Sequence, residues 1–402
     1  MRILHISAFS GWGSTGRILL GIHNVLTEEG HQSIIAWGRV NTAPPSVPTI
    51  RIGNKTDTYL HGLYTRLTDR CGFGSVRVTR EFLNKIDGWR PDLIQLHMLH
   101  GYYINLELLF LYLKEKRIPV VWTFHDEWAL TGHCPCFEMI GCEKWKTGCH
   151  HCPQRSHHPS SWIVDNSKWN WEKKKELFSG LDNLTIVAPS RWMAGVVRES
   201  FLKGCPVRVI HNGIDTEVFK PTSGDVKTRI GAEGEKVILG VSSTWAPSKG
   251  LADFCRLAEL LPDGYRIVLV GLSEKQIQAL PASIIGIGKT DSRKELAELY
   301  TAAHAFVNPT YEDNYPTTNL EALACGTPVI TYRTGGSVEA VEESGNGAVV
   351  PRGDIKSLAG AILNVPEYGY QVPLYRCDER DRYREYLSLY REIIGSGEEA
   401  NG

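Results

Sequence analysis

The chain has 402 residues, enough for two domains of ordinary size, and a formal net charge of -1, which gives no argument for nucleic acid as a partner. Hydrophobic residues make up 42% and charged residues 22%, the profile of a globular protein. The longest apolar runs, such as 108–113, are far too short to span a bilayer. Met1 and Arg2 lead straight into a strand pattern rather than a secretory apolar core, so the expected location is the cytoplasm. Five of the ten cysteines fall between Cys134 and Cys152, and clustering in such a chain suggests metal rather than disulfides.

Residues 2–8 predict a buried strand, followed by the Gly-rich turn 11–17 and an apolar helix over 18–26. Strand, Gly-rich turn and helix open an α/β domain that handles a nucleotide or phosphate. The spacing is not that of a dinucleotide fingerprint, and a plain tight turn is the competing reading. A second strand is expected at 33–37. Residues 57–86 read as one helical region carrying Arg66, Arg70, Arg77, Arg80 and Lys85, a face for anionic lipid or simply a solvated one. Strands at 91–97 and 120–124 end in His97 and in His125-Asp126-Glu127. Open α/β sheets bind ligands outside such carboxyl ends, although a satisfied structural histidine competes.

Next come Cys134, Cys136, Cys142, Cys149 and Cys152, with His133, His150 and His151 beside them. Four soft ligands at these spacings suit a four-coordinate structural zinc held by Cys134, Cys142, Cys149 and Cys152. The alternative is a cluster of free, packed thiols. Residues 167–175 mix Trp with Lys, as an interfacial helix would. A strand at 184–189 precedes Ser190-Arg191-Trp192, which opens a helix, and 207–210 is the last strand before a turn and a linker.

A second α/β pattern restarts at 236–242. Lys249 and Gly250 open a helix with Leu251, Phe254, Leu257 and Leu261 on one face. An ammonium beside free helix amides suits a diphosphate. Strands follow at 265–271 and 284–287, the latter ending in Gly288-Lys289. Ser292 and Glu295 read as a helix cap. Residues 306–332 read as strand, loop, short helix and strand, with Glu312 and Asp313 in the loop and Thr318 and Glu321 at capping-box spacing. Carboxylates around a phosphate seat can accept hydrogen bonds from sugar hydroxyls. The plain alternative is that Glu321 closes the capping box and Asp313 makes a turn. A loop at 334–336, a short hairpin at 345–351 and a charged helix at 376–394 complete the chain.

Residues 306–332 resemble the acidic donor-site motif of family 4 glycosyltransferases of the GT-B fold, E-x7-E followed by A-x-x-x-G-x-P-V-I. Asp313 stands in the place of the first Glu, one carbon shorter, and Glu321 in that of the second; alternatively Glu312 serves from one position earlier. The resemblance spans nearly the whole chain. It takes in the Gly-rich loop, a cleft histidine at His125, Arg191, N-G-x-D-x-x-x-F-x-P over 212–221, and Lys249, with Thr244 where the family usually has Arg. The cysteine stretch is similar to an insert found in a subset of the family.

What the resemblance implies is an α/β GT-B protein of two Rossmann-like domains facing a cleft. Residues 1–214 would form the acceptor-side domain, with the Cys-rich insert at 133–153 and a returning helix over 385–402. Residues 222–384 would form the donor domain. The implied activity is a retaining transfer of a sugar from a UDP- or GDP-sugar to a saccharide or lipid-linked acceptor, in exopolysaccharide, capsule or lipopolysaccharide synthesis in bacteria. The implied catalytic residues are His125, Lys249, Asp313 and Glu321. Implied donor contacts are Gly13, Gly16, Thr244, Gly288, Lys289, Glu312, Asn314, Thr317, Thr318 and Asn319, with His97, Asp126 and Arg191 on the acceptor side. No Asp-x-Asp motif stands at a strand end, so no cofactor is expected for the chemistry. Peripheral contact with the inner face of the membrane is expected, nucleic acid is not. Two rivals remain open at this point. A sugar-nucleotide epimerase or hydrolase on the same fold would turn over donor alone. A non-catalytic metal-binding scaffold would not bind nucleotide sugar.

Overall fold

Apolar strands joined through helices demand a parallel sheet covered on both faces, and the chain builds two of them. The computed structural model describes residues 1–367, 369–370 and 372–399. Of the expected returning segment 385–402, residues 400–402 lie outside the described residues. The chain divides into one unit of Met1–His211 plus the chain from Arg380, and a second of Asn212–Glu379. The turn and linker over 212–221 therefore go with the second unit, and the return to the first begins at 380.

The first unit contains β1 (Arg2–Ser10), α1 (Gly13–Glu28), β2 (Gln32–Asn41), β3 (Thr49–Arg51), α2 (Lys55–Thr68), α3 (Val76–Trp89) and β4 (Leu93–Leu96). These are followed by α4 (Leu106–Lys116), β5 (Val120–Thr123), α5 (Ser167–Phe178), β6 (Leu184–Ala188), α6 (Arg191–Glu199) and β7 (Val207–Val209). The strands are all parallel, in the order β3-β2-β1-β4-β5-β6-β7. Side-chain alternation along β1 sorts the two cores. Leu4, Ile6 and Ala8 pack with Phe82 of α3, Phe110 of α4 and Phe178 of α5. Ile3 packs on the other face with Ile18 and Ile22 of α1.

The second unit contains α7 (Val226–Arg229), β8 (Lys236–Val241), a single 3₁₀ turn (Pro247–Lys249), α8 (Leu251–Ala258), β9 (Tyr265–Val270), α9 (Glu274–Gln278), β10 (Ile284–Ile287) and α10 (Arg293–Ala302). It continues with β11 (Ala305–Asn308), α11 (Thr317–Ala324), β12 (Val329–Tyr332), α12 (Glu339–Ser344), β13 (Gly347–Val350) and α13 (Ile355–Leu363). Its six parallel strands run β10-β9-β8-β11-β12-β13. The last described helix, α14 (Glu379–Glu399), belongs to the first unit from Arg380. Its Tyr383, Tyr386, Leu387, Leu389 and Tyr390 complete the α1 face of the first sheet. No helix among the described residues is long and apolar enough to cross a membrane.

Three local expectations change. The region 57–86 is two helices, not one: Asp69 ends α2 in the left-handed conformation, and the break at 69–75 holds Gly72 and Gly74, whose N–H groups donate to His61 Nε2 at 3.2 and 3.1 Å. The stretch 345–351 is not a hairpin, because β13 pairs parallel to β12 across the crossover helix α12. Helix α5 is not interfacial. Trp171 and Lys174 are buried, with Lys174 Nζ donating to the carbonyls of Trp128 at 2.7 Å and Thr131 at 3.0 Å.

Candidate active site

In each sheet the chain runs outward from the first strand one way and then returns to build the other way. The reversal lies between β1 and β4 in the first sheet and between β8 and β11 in the second. Loops at the carboxyl ends of such neighbouring strands part there and leave a crevice, the usual ligand position in open α/β sheets.

At the second sheet's reversal, the loop after β8 carries Lys249 and the loop after β11 carries Glu312 and Asp313. Two backbone-directed bonds fasten the loops together: Tyr311 N–H donates to Ser248 O at 2.7 Å and Thr310 Oγ1 to the same oxygen at 3.2 Å. Gly250 adopts φ +72° and a Cβ there would stand 2.3 Å from Pro309 O, so only glycine allows this approach. The result is an ion pair, Lys249 Nζ donating to Asp313 Oδ2 at 2.7 Å, with Glu312 O at 3.4 Å. Glu312 thus meets the lysine through its carbonyl, and Asp313 through its carboxylate. A third strand-end loop joins where Gly336 N–H donates to Asp313 O at 3.2 Å. Lys249 ends a 3₁₀ turn that runs directly into α8, whose N-cap, Gly250, has no side chain to satisfy the first amides.

The expected capping box is absent. Helix α11 begins at Thr317 with Pro316 as N-cap and no side-chain cap. Glu321 lies in the second turn and accepts the hydroxyl of Tyr300 at 2.9 Å. Burial and that carboxylate push the Tyr300 phenol well above its ordinary range, so it stays a donor. Asn319 is buried, its amide donating to Ser337 O at 2.9 Å and its oxygen accepting from Asn308 at 2.8 Å. It fastens α11 to the sheet. Asn314, Thr317 and Thr318 are half-buried beside it. Thr244, Gly288 and Lys289 are all exposed. Lys289 follows β10, two strands away from β8 at the sheet edge.

In the first unit, a row of histidines crosses the reversal. His5 of β1 and His97 at the end of β4 stack with ring centroids 6.0 Å apart, and His97 and His125 at 5.3 Å. His97 Nδ1 and His125 Nε2 share a hydrogen bond at 3.0 Å. Backbone and indole groups fix the row: His97 N–H donates to Ile6 O at 3.0 Å, and Trp122 Nε1 to His97 O at 3.0 Å. Burial lowers all three rings, His5 to about 3, His97 well below its ordinary value and His125 to about 4, so the row is neutral at pH 7. Asp126 pairs with His100, not His125, its Oδ2 accepting from His100 Nε2 at 2.7 Å. Burial raises the Asp126 carboxyl, but His100, the Trp128 N–H and His125 together more than offset this and hold it low. Sequence reasoning missed His5 and His100; for His5 the signal was a histidine inside an otherwise apolar strand, whereas His100 lies in the loop between β4 and α4.

The Gly-rich turn places Gly13 as the first residue of α1, at φ +67°, and Gly16 within 3.0 Å of Gly11 for any added Cβ. Arg191 is the exposed first residue of α6, whose N-cap Ser190 accepts Met193 N–H at 3.0 Å.

Cys134, Cys142, Cys149 and Cys152 line one small cavity with His133, Phe137 and Trp145. Cys149 Sγ accepts Gly132 N–H at 3.2 Å. A hydrogen bond from Cys134 lowers the Cys152 thiol to about 7, helped by the Gln154 N–H. Still, no three His, Cys, Asp or Glu side chains among the described residues stand where one metal ion would be held. Behind them, His133 meets Asp69 at 2.5 Å, and burial lowers the Lys174 ammonium to about 7.

Comparison with known proteins covers both units. Residues 15–218 match the family described as Glycosyltransferase Family 4, and residues 235–367 that described as Glycosyl transferases group 1. An Escherichia coli K12 protein named for colanic acid biosynthesis, glycosyl transferase WcaC, is 26% identical over 98% of this chain and 100% of its own. A D-inositol 3-phosphate glycosyltransferase of Mycolicibacterium smegmatis is 30% identical over 40% of this chain and 39% of its own. Among solved structures, sucrose-phosphate synthase of Thermosynechococcus elongatus superposes with a TM-score of 0.65 at 18% identity, covering 98% of this chain and 100% of that one. Anabaena HepE in complex with UDP-glucose superposes with a TM-score of 0.63 at 16% identity, covering 99% and 100%. These two share the fold, two Rossmann-like α/β domains of the GT-B type. With the first family match alone spanning just over half of the 402 residues, the chain belongs to glycosyltransferase family 4 and is a glycosyltransferase.

Proposed function

We propose that this enzyme moves a sugar from a nucleotide-diphosphate sugar, UDP- or GDP-linked, to a hydroxyl of a saccharide or lipid-linked saccharide. Transfer retains the anomeric configuration and is a cytoplasmic step in bacterial surface polysaccharide synthesis. The observation that carries this reading is the Lys249–Asp313 pair at the second sheet's reversal, beside the uncapped start of α8. As the anomeric C–O bond breaks, negative charge gathers on the leaving diphosphate. The ammonium and the helix amides stabilise it without a metal. The acceptor oxygen bonds to the anomeric carbon from the same face, and its proton passes to the departing phosphate oxygen, so no side-chain base is required. Asp313 or Glu312, with Glu321, accepts from sugar and ribose hydroxyls, and neutral His125 offers a hydrogen bond to a sugar hydroxyl. Gly13, Gly16, Thr244, Gly288, Lys289, Asn314, Thr317 and Thr318 are proposed donor contacts; His97, Asp126 and Arg191 are proposed for the acceptor side. The colanic acid relative supports the polymer class, and the UDP-glucose complex of a structural neighbour supports the donor chemistry.

A thermal-shift panel of UDP-, GDP- and ADP-sugars tests the reading, since a ligand of the folded state raises the melting temperature. No shift with any of them would remove it. Glu321→Gln separates a structural from a functional carboxylate. Gln still accepts from Tyr300, so melting should barely move, whereas loss of a charged acceptor should weaken donor binding by about tenfold. Full affinity in that variant would leave Glu321 a purely structural partner of Tyr300.

We also propose a structural zinc at Cys134, Cys142, Cys149 and Cys152. Support comes from the four sulfurs around one cavity and from the lowered Cys152 thiol; burial pushes the Cys149 thiol up to about 11 in spite of its bond from the Gly132 N–H. The thiols are gathered without being arranged as a ligand set, so loading requires their side chains to rotate. Metal analysis of untagged protein is expected to find about one zinc per chain. Metal-free, stable protein with titratable thiols would show packed cysteines instead.

A further inference from the structure

The Trp- and Lys-rich stretch that suggested a membrane surface in sequence is buried as α5, but another surface carries that character openly. Trp162, Ile163 and Val164 are three consecutive large apolar residues, 60%, 64% and 37% exposed. They are held out on a fixed backbone. Trp162 N–H donates to Arg66 O at 2.8 Å, and the Asn166 side chain donates to Thr68 O at 2.7 Å, so both ends of the tip are fastened to the last turn of α2. Ser161 Oγ closes the turn onto Val164 O at 2.6 Å. Helix α2 continues the surface: Tyr59, Leu60 and Leu67 are exposed at 69%, 55% and 42%, with Tyr59 two turns before Arg66 and Leu60 two turns before Leu67. Solvent-facing apolar residues occur singly on most proteins; a run of three on a braced loop beside a second apolar stripe marks an interaction site.

The charges around it identify the partner. The Arg66 guanidinium lies 5.6 Å from the Trp162 ring centre, and Arg155 donates to Ile163 O at 3.1 Å. Neither arginine takes part in an ion pair among the described residues. The neighbouring carboxylates are already engaged: Asp57 with Arg77, Asp69 with His133, and Asp165 with the N–H of Cys152 and the hydroxyl of Ser167. An apolar tip with an indole at its base, flanked by guanidiniums without counter-charges, matches a bilayer interface. The side chains enter the acyl boundary and the arginines meet phosphate headgroups.

We propose that the 161–165 tip and the exposed face of α2 dock the enzyme on a membrane rich in anionic lipid. This is independent of the donor chemistry proposed above. It would bring the first unit to a lipid-borne acceptor without any spanning helix.

The test is co-sedimentation of the full-length protein with phosphatidylcholine vesicles made with and without phosphatidylglycerol. Binding is expected to the anionic vesicles and to weaken with salt. Trp162→Ala with Ile163→Ser should lower the partition by about tenfold or more while leaving the melting temperature unchanged. Arg66→Gln should lower it by about fivefold on anionic vesicles only. Equal partition of wild type and variants, or no binding to either vesicle, would overturn the proposal. So would sedimentation velocity showing that the same substitutions dissolve a dimer, since the occupant would then be a second copy of the chain.

Discussion

Lys249→Ala is expected to lower kcat/KM for the nucleotide-sugar donor by roughly ten- to a hundredfold. Two losses combine. The diphosphate loses a charge-assisted contact, worth about 1.5–3 kcal/mol. Asp313, which the lysine neutralises at 2.7 Å, is left as an anion facing an anionic ligand. Asp313→Asn removes only the partner and should be milder. The two substitutions share one interaction, so the double variant should lose less than the two single effects added together. Stability should hardly change, because the pair is partly exposed and such pairs contribute about 1 kcal/mol or less. Steady-state kinetics with the donor identified by thermal shift, beside melting curves, checks all three variants. Unaltered kinetics in Lys249→Ala would make it a helix-start residue without a role in the reaction.

Acid should unfold the first unit well before its carboxylates are titrated. His5, His61 and His125 are lowered chiefly by burial, to about 3, 3 and 4, and His97 shifts the same way. A histidine whose folded value is depressed contributes its full stability above 6.5. That contribution is lost as pH falls, because the unfolded ring takes a proton that the folded ring refuses. At pH 5 each of the three valued rings costs about 2 kcal/mol, together about 6, which is comparable to the whole stability of an ordinary domain. His133 opposes the trend, since Asp69 raises it against its burial. Melting temperature followed between pH 7.5 and 4.5 should drop steeply below about 6.5. His5→Gln should flatten the slope by about one proton's worth. A flat profile to pH 5 would mean that these rings are charged in the folded protein.

How legible the chain was depended on the range of the interaction. Lys249, Asp313 and Glu321 stand in local patterns, strand ends and helix starts, and those could be read residue by residue. Their meeting was another matter. Lys249 and Asp313 come together because β8 and β11 are neighbours, and strand order is set by packing over 64 positions of sequence separation. The capping box at Thr318 failed because the helix is capped two residues earlier, at Pro316, which leaves Glu321 in the second turn, where it accepts from Tyr300 of α10. The helical region 57–86 read as continuous because its apolar spacing carries on across the break. His61, which satisfies the amides of Gly72 and Gly74 there, gives no local sign of doing so. Helix α5 misled for the same reason: Trp and Lys alternate on an interfacial helix and on one buried beneath an insert, and only the carbonyls of Trp128 and Thr131 distinguish the two.

Helix α14 sets the order in which the protein can be completed during synthesis. Tyr390 donates to Gln95 at 2.9 Å, Gln95 donates to Thr123 at 2.7 Å, and Thr123 meets Tyr386 at 3.3 Å, so β4 and β5 reach their buried hydrogen-bond partners through residues almost 300 positions further on. The ring of Tyr383 fills the space beside Gly21 so closely that a Cβ there would fall 2.1 Å away. A nascent chain therefore carries the α1 face of its first sheet unfinished, with Gln95 and Ile3 uncovered, until the whole second unit has been made. The second unit has every strand of its own sheet in one unbroken stretch and can close as it emerges. The half of the protein translated first is the half whose core is completed last.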